Sequence, residues 1–177
     1  MAKIKPEDND VHRFANGQWE VVDSFGGNPP TANMDEIIVA VGDEQMEASG
    51  GDCPVVVLFA PRSRLTAVIH IGADHLDDDH HETMISTVLD RYPFPKTSKV
   101  HVLMDSSGYG KPEAERAAWL DRIRASLTDK GLKSVETCTD GEGKNVMLNA
   151  NDGVLKVEDG GENSLLEVTY GTGSADA

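Results

Sequence analysis

Residues 52–72, DCPVVVLFAPRSRLTAVIHIG, constrain this chain more than any other stretch. Two apolar runs, Val55 to Phe59 and Leu65 to Ile71, flank the segment Ala60-Pro61-Arg62-Ser63-Arg64. β-Branched and aromatic enrichment bounded by turn residues predicts strand, turn, strand, and therefore a hairpin. A connection of about five residues returns the end of the second strand to the start of the first. That pairing sets His70 beside Cys53, and a thiol next to an imidazole is the minimum apparatus for thiolate nucleophilic catalysis.

The ordinary roles of these two residues set the standard such a reading has to meet. A cysteine at a strand edge is most often a small buried hydrophobe, and a lone histidine is most often a satisfied or exposed side chain. Two features favour chemistry. Gly50-Gly51-Asp52 gives the backbone a tight approach to Cys53, which exposes N–H groups where an oxyanion would sit. His70 interrupts an otherwise apolar strand, an expensive place for an imidazole without a task.

The same stretch resembles the active-site hairpin of the CheD-type chemoreceptor glutamine deamidases. That pattern is Gly-x-Cys, an apolar strand ending in aromatic-x-Pro, and a second apolar strand ending in His. Here Gly51, Cys53, Phe59-Ala60-Pro61 and His70 fall in that order, with the family's step of 17 residues from Cys to His. Upstream, Val41-Gly42 through Met46 to Ser49 is similar to the family's opening strand, V-G-x-x-x-M-x-x-S. Downstream, a helix over about Glu113 to Lys130 leads to Gly131-Leu132-Lys133-Ser134-Val135. Lys144 to Leu148, a turn at Asn151-Asp152-Gly153, and Val154 to Val157 resemble the closing hairpin. The likeness covers roughly residues 36–158. The Cys–His sandwich also occurs in cytotoxic necrotizing factor-type toxins, so fold alone does not choose a target.

The resemblance implies a protein-glutamine deamidase, with Cys53 as nucleophile, His70 as base and no cofactor or metal. It also sharpens what departs from the pattern. The family's Thr six residues before the Cys is Glu47 here, its glycine pair before the His is Thr66-Ala67, and its later Gly-Gly-x-x-Gly-Arg is reduced to Asp140-Gly141-Glu142-Gly143-Lys144. The residue that orients His70 must then come from elsewhere. Glu47 is the first choice, because a carboxylate supports an imidazolium better than a hydroxyl; Ser49, Thr66 and a backbone carbonyl are the other candidates. Gly51, Asp52 and Thr66 are the expected substrate-facing positions.

With 177 residues the chain suits one domain with a proper core. No apolar run approaches the roughly 18 residues of a membrane span, and the Met1-Ala2-Lys3-Ile4-Lys5-Pro6 start leads into acidic residues rather than an apolar leader. Two cysteines, Cys53 and Cys138, offer no disulfide framework. A cytoplasmic protein is expected, or an effector exported without a cleavable leader. The net charge of −15 argues against nucleic-acid binding and suits either simple solubility or a partner with a basic surface.

The sequence divides into an N-terminal arm, 1–34, with one candidate strand at Gln18 to Val22; a catalytic domain, 35–158; and an acidic, Gly-rich tail, 159–177, with a short strand at Leu165 to Tyr170. Between Ala73 and Glu82 stand three His and five acidic residues. Their spacing matches no zinc motif, and the segment reads as the start of a helix over about His80 to Asp90, with Asp77 to Asp79 complementing its dipole. Ala117, Leu120, Ile123 and Leu127 form the apolar stripe of the longer helix. The expected architecture is an α/β (α+β) sandwich: a mixed, mostly antiparallel sheet with two helices against it. A binding module on the same fold, without catalysis, is the alternative function, its acidic surface docking on a basic partner.

Overall fold

A computed structural model describes residues 11–22, 30–42, 44–49, 53–72, 80–103, 113–132, 134–138, 145–150, 153–159 and 163–170. The strands in chain order are β1 (Val11–Ala15), β2 (Gln18–Val22), β3 (Thr31–Ala32), β4 (Glu36–Val41), β5 (Glu44–Ser49), β6 (Val55–Ala60), β7 (Leu65–His70), β8 (Lys99–Leu103), β9 (Ser134–Cys138), β10 (Asn145–Ala150), β11 (Gly153–Asp159) and β12 (Asn163–Tyr170). Helix α1 (His80–Arg91) follows β7, and helix α2 (Glu113–Asp129) follows β8. Seven strands form one sheet in the order β2-β1-β4-β7-β6-β8-β9, and five form another, β10-β11-β12-β5-β3. Only β8 with β9 and β3 with β5 run parallel among these pairs. The expected mixed, mostly antiparallel sandwich with two helices is the fold.

The predicted hairpin lies at the middle of the larger sheet. Strands β6 and β7 pair antiparallel from Val55↔His70 to Ala60↔Leu65 and are buried at every position. Burial on both faces is why their sequences run apolar without alternating. Pro61–Ser63 turns as one 3-10 segment, and Arg64 closes it with φ of 55°, its N–H donating to the Pro61 carbonyl at 3.2 Å.

The two faces of this sheet meet different partners. Val56, Leu58, Ala67, Ile69 and Ile71 pack with Met84, Ile85 and Val88 of α1 and with Trp119, Ile123 and Leu127 of α2. The opposite face brings Ile38, Ala40, Val55, Val57, Phe59 and Val68 against Met46 and Ala48 of β5 and Ala32 of β3. Helices, large sheet and small sheet are thus three layers around two apolar interfaces. Among the described residues, no helix is long and apolar enough to cross a membrane.

Several expectations need correction. The division at residues 34/35 and 158/159 cuts through both sheets: β1 sits between β2 and β4, and β12 sits between β11 and β5. The N-terminal segment therefore carries the internal strand β1 as well as the edge strands β2 and β3, and the tail segment contributes an interior one. The stretch from Val41 to Ser49 is two strands in different sheets, because Gly42 turns the chain with φ of 90°. On α2, Leu120, Ile123 and Leu127 are buried as expected, whereas Ala117 is exposed and Trp119 takes the apolar position. Residues 73–79, 104–112 and 139–144, with the readings placed on them, lie outside the described residues.

Candidate active site

The site grows from the open end of the β6–β7 ladder. Val55 and His70 are direct cross-strand partners. One step outward, the Ile71 N–H donates to the Pro54 carbonyl at 3.0 Å. Proline has no N–H to return, so regular pairing ends there. Cys53 stands immediately beyond Pro54, at the same end of the sheet as His70. Cys53 is 8% exposed and in no disulfide, and His70 is 1% exposed. The hairpin thus brings both residues to one end of the sheet, as the sequence predicts.

His70 is oriented by a backbone carbonyl. Its Nδ1 lies 2.9 Å from the Ala32 carbonyl oxygen. A carbonyl only accepts, so Nδ1 carries the proton, and in the neutral ring Nε2 is the basic nitrogen. Nε2 is itself buried. Ala32 comes to this place because β3 belongs to the smaller sheet. Thr31 and Ala32 run parallel to Glu47 and Ala48, and the Glu47 N–H donates to the Pro30 carbonyl at 2.9 Å.

This corrects the first choice of orienter. Met46 and Ala48 point into the buried interface, so strand alternation turns the half-buried Glu47 side chain to the other face of β5. Glu47 supports the site through its backbone, not through its carboxylate. Thr66 is fully buried and lies four residues back along β7, about 13 Å from His70 at ~3.3 Å per residue, so it faces no substrate. Ser49 pairs through its backbone with Asn163, and its side chain lies outside the described residues, as do Gly51 and Asp52.

Three residues that the sequence did not single out, Glu36, Arg13 and Asp35, lie around His70 and its acceptor. Glu36 is the cross-strand partner of His70 on β4. Its Oε2 accepts from the Asn33 N–H at 3.0 Å and lies 3.7 Å from Arg13 Nε. Arg13 Nη2 donates to the Thr31 carbonyl at 3.1 Å. Beyond them, Asp35 adopts φ of 62°, its N–H donates to the His70 carbonyl at 2.9 Å, and its Oδ1 accepts from the Gly72 N–H and from His80 Nε2, each at 3.0 Å. Asp35 is a residue type that tolerates the left-handed region, and this is the one local signal the sequence held for that turn. Arg13 and Glu36 gave none, because their meeting depends on the pairing of β1 with β4.

An imidazole whose Nδ1–H is held by a fixed acceptor presents a single tautomer, with a basic nitrogen able to take a thiol proton. The sequence matches no protein-family model and no curated protein sequence.

Proposed function

We propose that the chain is a protein-glutamine deamidase of the cysteine–histidine kind. The observation that carries this reading is the Ala32 carbonyl on His70 Nδ1, which leaves Nε2 as the unprotonated nitrogen of the neutral ring at the sheet end where Cys53 stands. In the reaction, His70 Nε2 takes the Cys53 proton and the thiolate attacks the carboxamide carbon of a glutamine side chain. The tetrahedral adduct collapses with breakage of the C–N bond, and His70 returns the proton to the departing nitrogen, releasing ammonia and leaving a thioester. Water, deprotonated by His70, then cleaves the C–S bond, giving glutamate and the restored thiol.

The substrate class follows from chemistry and charge. A glutamine side chain on another protein is long enough to reach a recessed thiol, and a net charge of −15 favours a partner with a basic surface. Chemoreceptors are the first substrates to try, and proteins of a foreign cell the second.

Ammonia release and amide-to-acid conversion, followed by mass spectrometry on a chemoreceptor signalling domain, test the proposal. Activity in the wild type that is lost in both Cys53→Ala and His70→Ala supports it. A specific observation favours a second reading, a non-catalytic binding module: the thiol and imidazole are almost closed to solvent, at 8% and 1% exposure. Binding of the receptor domain without conversion, unchanged in Cys53→Ala, selects that reading.

A further inference from the structure

We propose that the Arg13–Glu36 ion pair is a positioning device for His70, acting through the one carbonyl that sets its tautomer. The inference rests on the reading of His70 as the base, but it concerns different residues and has its own readout.

Ala32 is gripped on both sides by one pair of charges. Arg13 Nη2 holds the carbonyl of the residue before it, Thr31, at 3.1 Å. Glu36 Oε2 holds the N–H of the residue after it, Asn33, at 3.0 Å. The Glu36 N–H donates in turn to the Asn33 carbonyl at 3.0 Å, so the Asn33–Glu36 turn is closed in both directions. The two charged groups approach each other at 3.7 Å, and the Arg13 Nε is buried. The side chains are 24% and 20% exposed; the Arg13 bond is part-buried, the Glu36 bond is exposed, and each is charge-assisted, which strengthens it over a neutral one.

The short strand β3 needs such a grip. Two residues pairing with β5 are a weak anchor for a carbonyl that must hold an angle toward another sheet. Regular pairing fixes Ala32 relative to the smaller sheet alone. Arg13 and Glu36 belong to β1 and β4, neighbours in the larger sheet, and Glu36 is the cross-strand partner of His70 itself. The ion pair therefore ties the acceptor to the same sheet that carries the imidazole. Without it the Ala32 carbonyl can withdraw from Nδ1, and a neutral imidazole that loses its Nδ1 acceptor is free to place its proton on Nε2. That tautomer cannot accept the thiol proton.

The test measures the ring directly. Nitrogen-15 NMR of the imidazole at neutral pH distinguishes the two tautomers, and iodoacetamide alkylation of Cys53 reads the consequence. Arg13→Met and Glu36→Ala are expected to give a mixture of tautomers at His70 and to slow Cys53 alkylation roughly five-fold, as loss of one hydrogen bond of ordinary strength would. Glu36→Gln removes the charge but keeps an acceptor for the Asn33 N–H, and is expected to fall between wild type and Glu36→Ala, a partial rescue that general loosening would not show. Should Arg13→Met fail to fold, Glu36→Ala against Glu36→Gln decides the matter. A single Nδ1–H tautomer in folded Glu36→Ala overturns the inference. Unaltered Cys53 alkylation in His70→Gln instead overturns the role of His70 as base, and leaves the NMR comparison standing as the test of the clamp.

Discussion

His70 and Ala32 meet at 2.9 Å from different sheets, the imidazole on β7 of the larger and the carbonyl on β3 of the smaller. The orientation of the ring is therefore a property of how the two layers are packed, not of the strand that carries it. Both groups are buried, so parting them would leave a donor and an acceptor without water to replace the bond. Packing of Val55, Val57 and Val68 against Ala32, Met46 and Ala48 thus holds the orientation of the ring as well as the core.

The carboxylate of Glu47 is expected to be dispensable. It lies on the face of β5 opposite to Met46 and Ala48, and the contribution of Glu47 is the amide that bonds Pro30. Glu47→Gln retains that amide. Cys53 alkylation and deamidation in Glu47→Gln should stay within about two-fold of wild type, as for a surface change away from any special contact. A drop of ten-fold or more would return the carboxylate to the mechanism.

Gly72 is a packing constraint at the same end of the sheet. A Cβ there would lie 2.9 Å from Met34 Cγ, 3.1 Å from Met34 Sδ and 3.1 Å from Asp35 Oδ1. Met34 is exposed and flexible enough to give way, whereas Asp35 is held by the Gly72 N–H and His80. Gly72→Ala is expected to destabilise the protein by about 1–2 kcal/mol, the usual range for an overfilled site. Urea unfolding of Gly72→Ala alone and combined with Met34→Ala checks this. The double variant should regain part of the loss, and full additivity would show that Met34 is not the obstacle.

The hairpin was legible because both of its signals are local. Val55 to Phe59 and Leu65 to Ile71 are apolar throughout, Pro61 marks the turn, and the loop length alone brings His70 back to the start of β6. Helix α1 and strands β2 and β12 were legible on local grounds as well, and β10 and β11 through the likeness of their hairpin to the family's closing one. What lay beyond reach came from sheet order. Nothing in Thr31-Ala32 marks a strand of two residues, and its position depends on parallel pairing with β5 after the chain has turned at Gly42. The acceptor for His70 is a main-chain oxygen, which no side-chain motif can reveal. Glu47 looked suitable by its distance in sequence before Cys53, but the face it takes is set by Met46 and Ala48 filling the interface.

Tyr92 predicts a limit to stability at alkaline pH. Burial pushes its hydroxyl well above the usual phenol range, against a smaller opposing effect of the neighbouring Arg91 charge. The hydroxyl is hydrogen-bonded to His12 Nδ1 at 2.9 Å. In the unfolded chain a tyrosine ionises near pH ~10. Above that pH the unfolded state has lost the proton that the native state retains, so stability falls as pH rises. Below it both states are protonated and this contribution is constant. Denaturant unfolding between pH 8 and 11, values chosen to bracket ~10, should show a downward slope that is diminished in Tyr92→Phe. Removing the hydroxyl should also cost about 1 kcal/mol at neutral pH, for the bond to His12.

Under the proposed mechanism the two cysteines should differ in reactivity, because Cys53 stands at the same end of the sheet as His70. Cys138 ends β9, separated from β7 by β6 and β8, in register with Leu103 on β8. Cys53 stands two residues before Val55, the cross-strand partner of His70. Exposure by itself argues for slow alkylation of Cys53, since the residue is 8% exposed. A basic nitrogen beside it argues the other way, because the thiolate is the reacting species and its fraction, not the area of sulfur, dominates the rate once the reagent reaches it. The balance is measured by labelling the native protein with iodoacetamide at neutral pH and comparing the peptides of Cys53 and Cys138 in one sample, which cancels reagent concentration and time. Cys53 should label the faster of the two, and His70→Gln should slow it by ten-fold or more while leaving Cys138 unchanged. His70→Gln is preferred to His70→Ala because it fills the space of the ring and opens no new path to the thiol. Equal labelling of the two cysteines in the wild type, or indifference of Cys53 to His70→Gln, removes the nucleophile from the proposed mechanism and leaves the buried pair as part of the core.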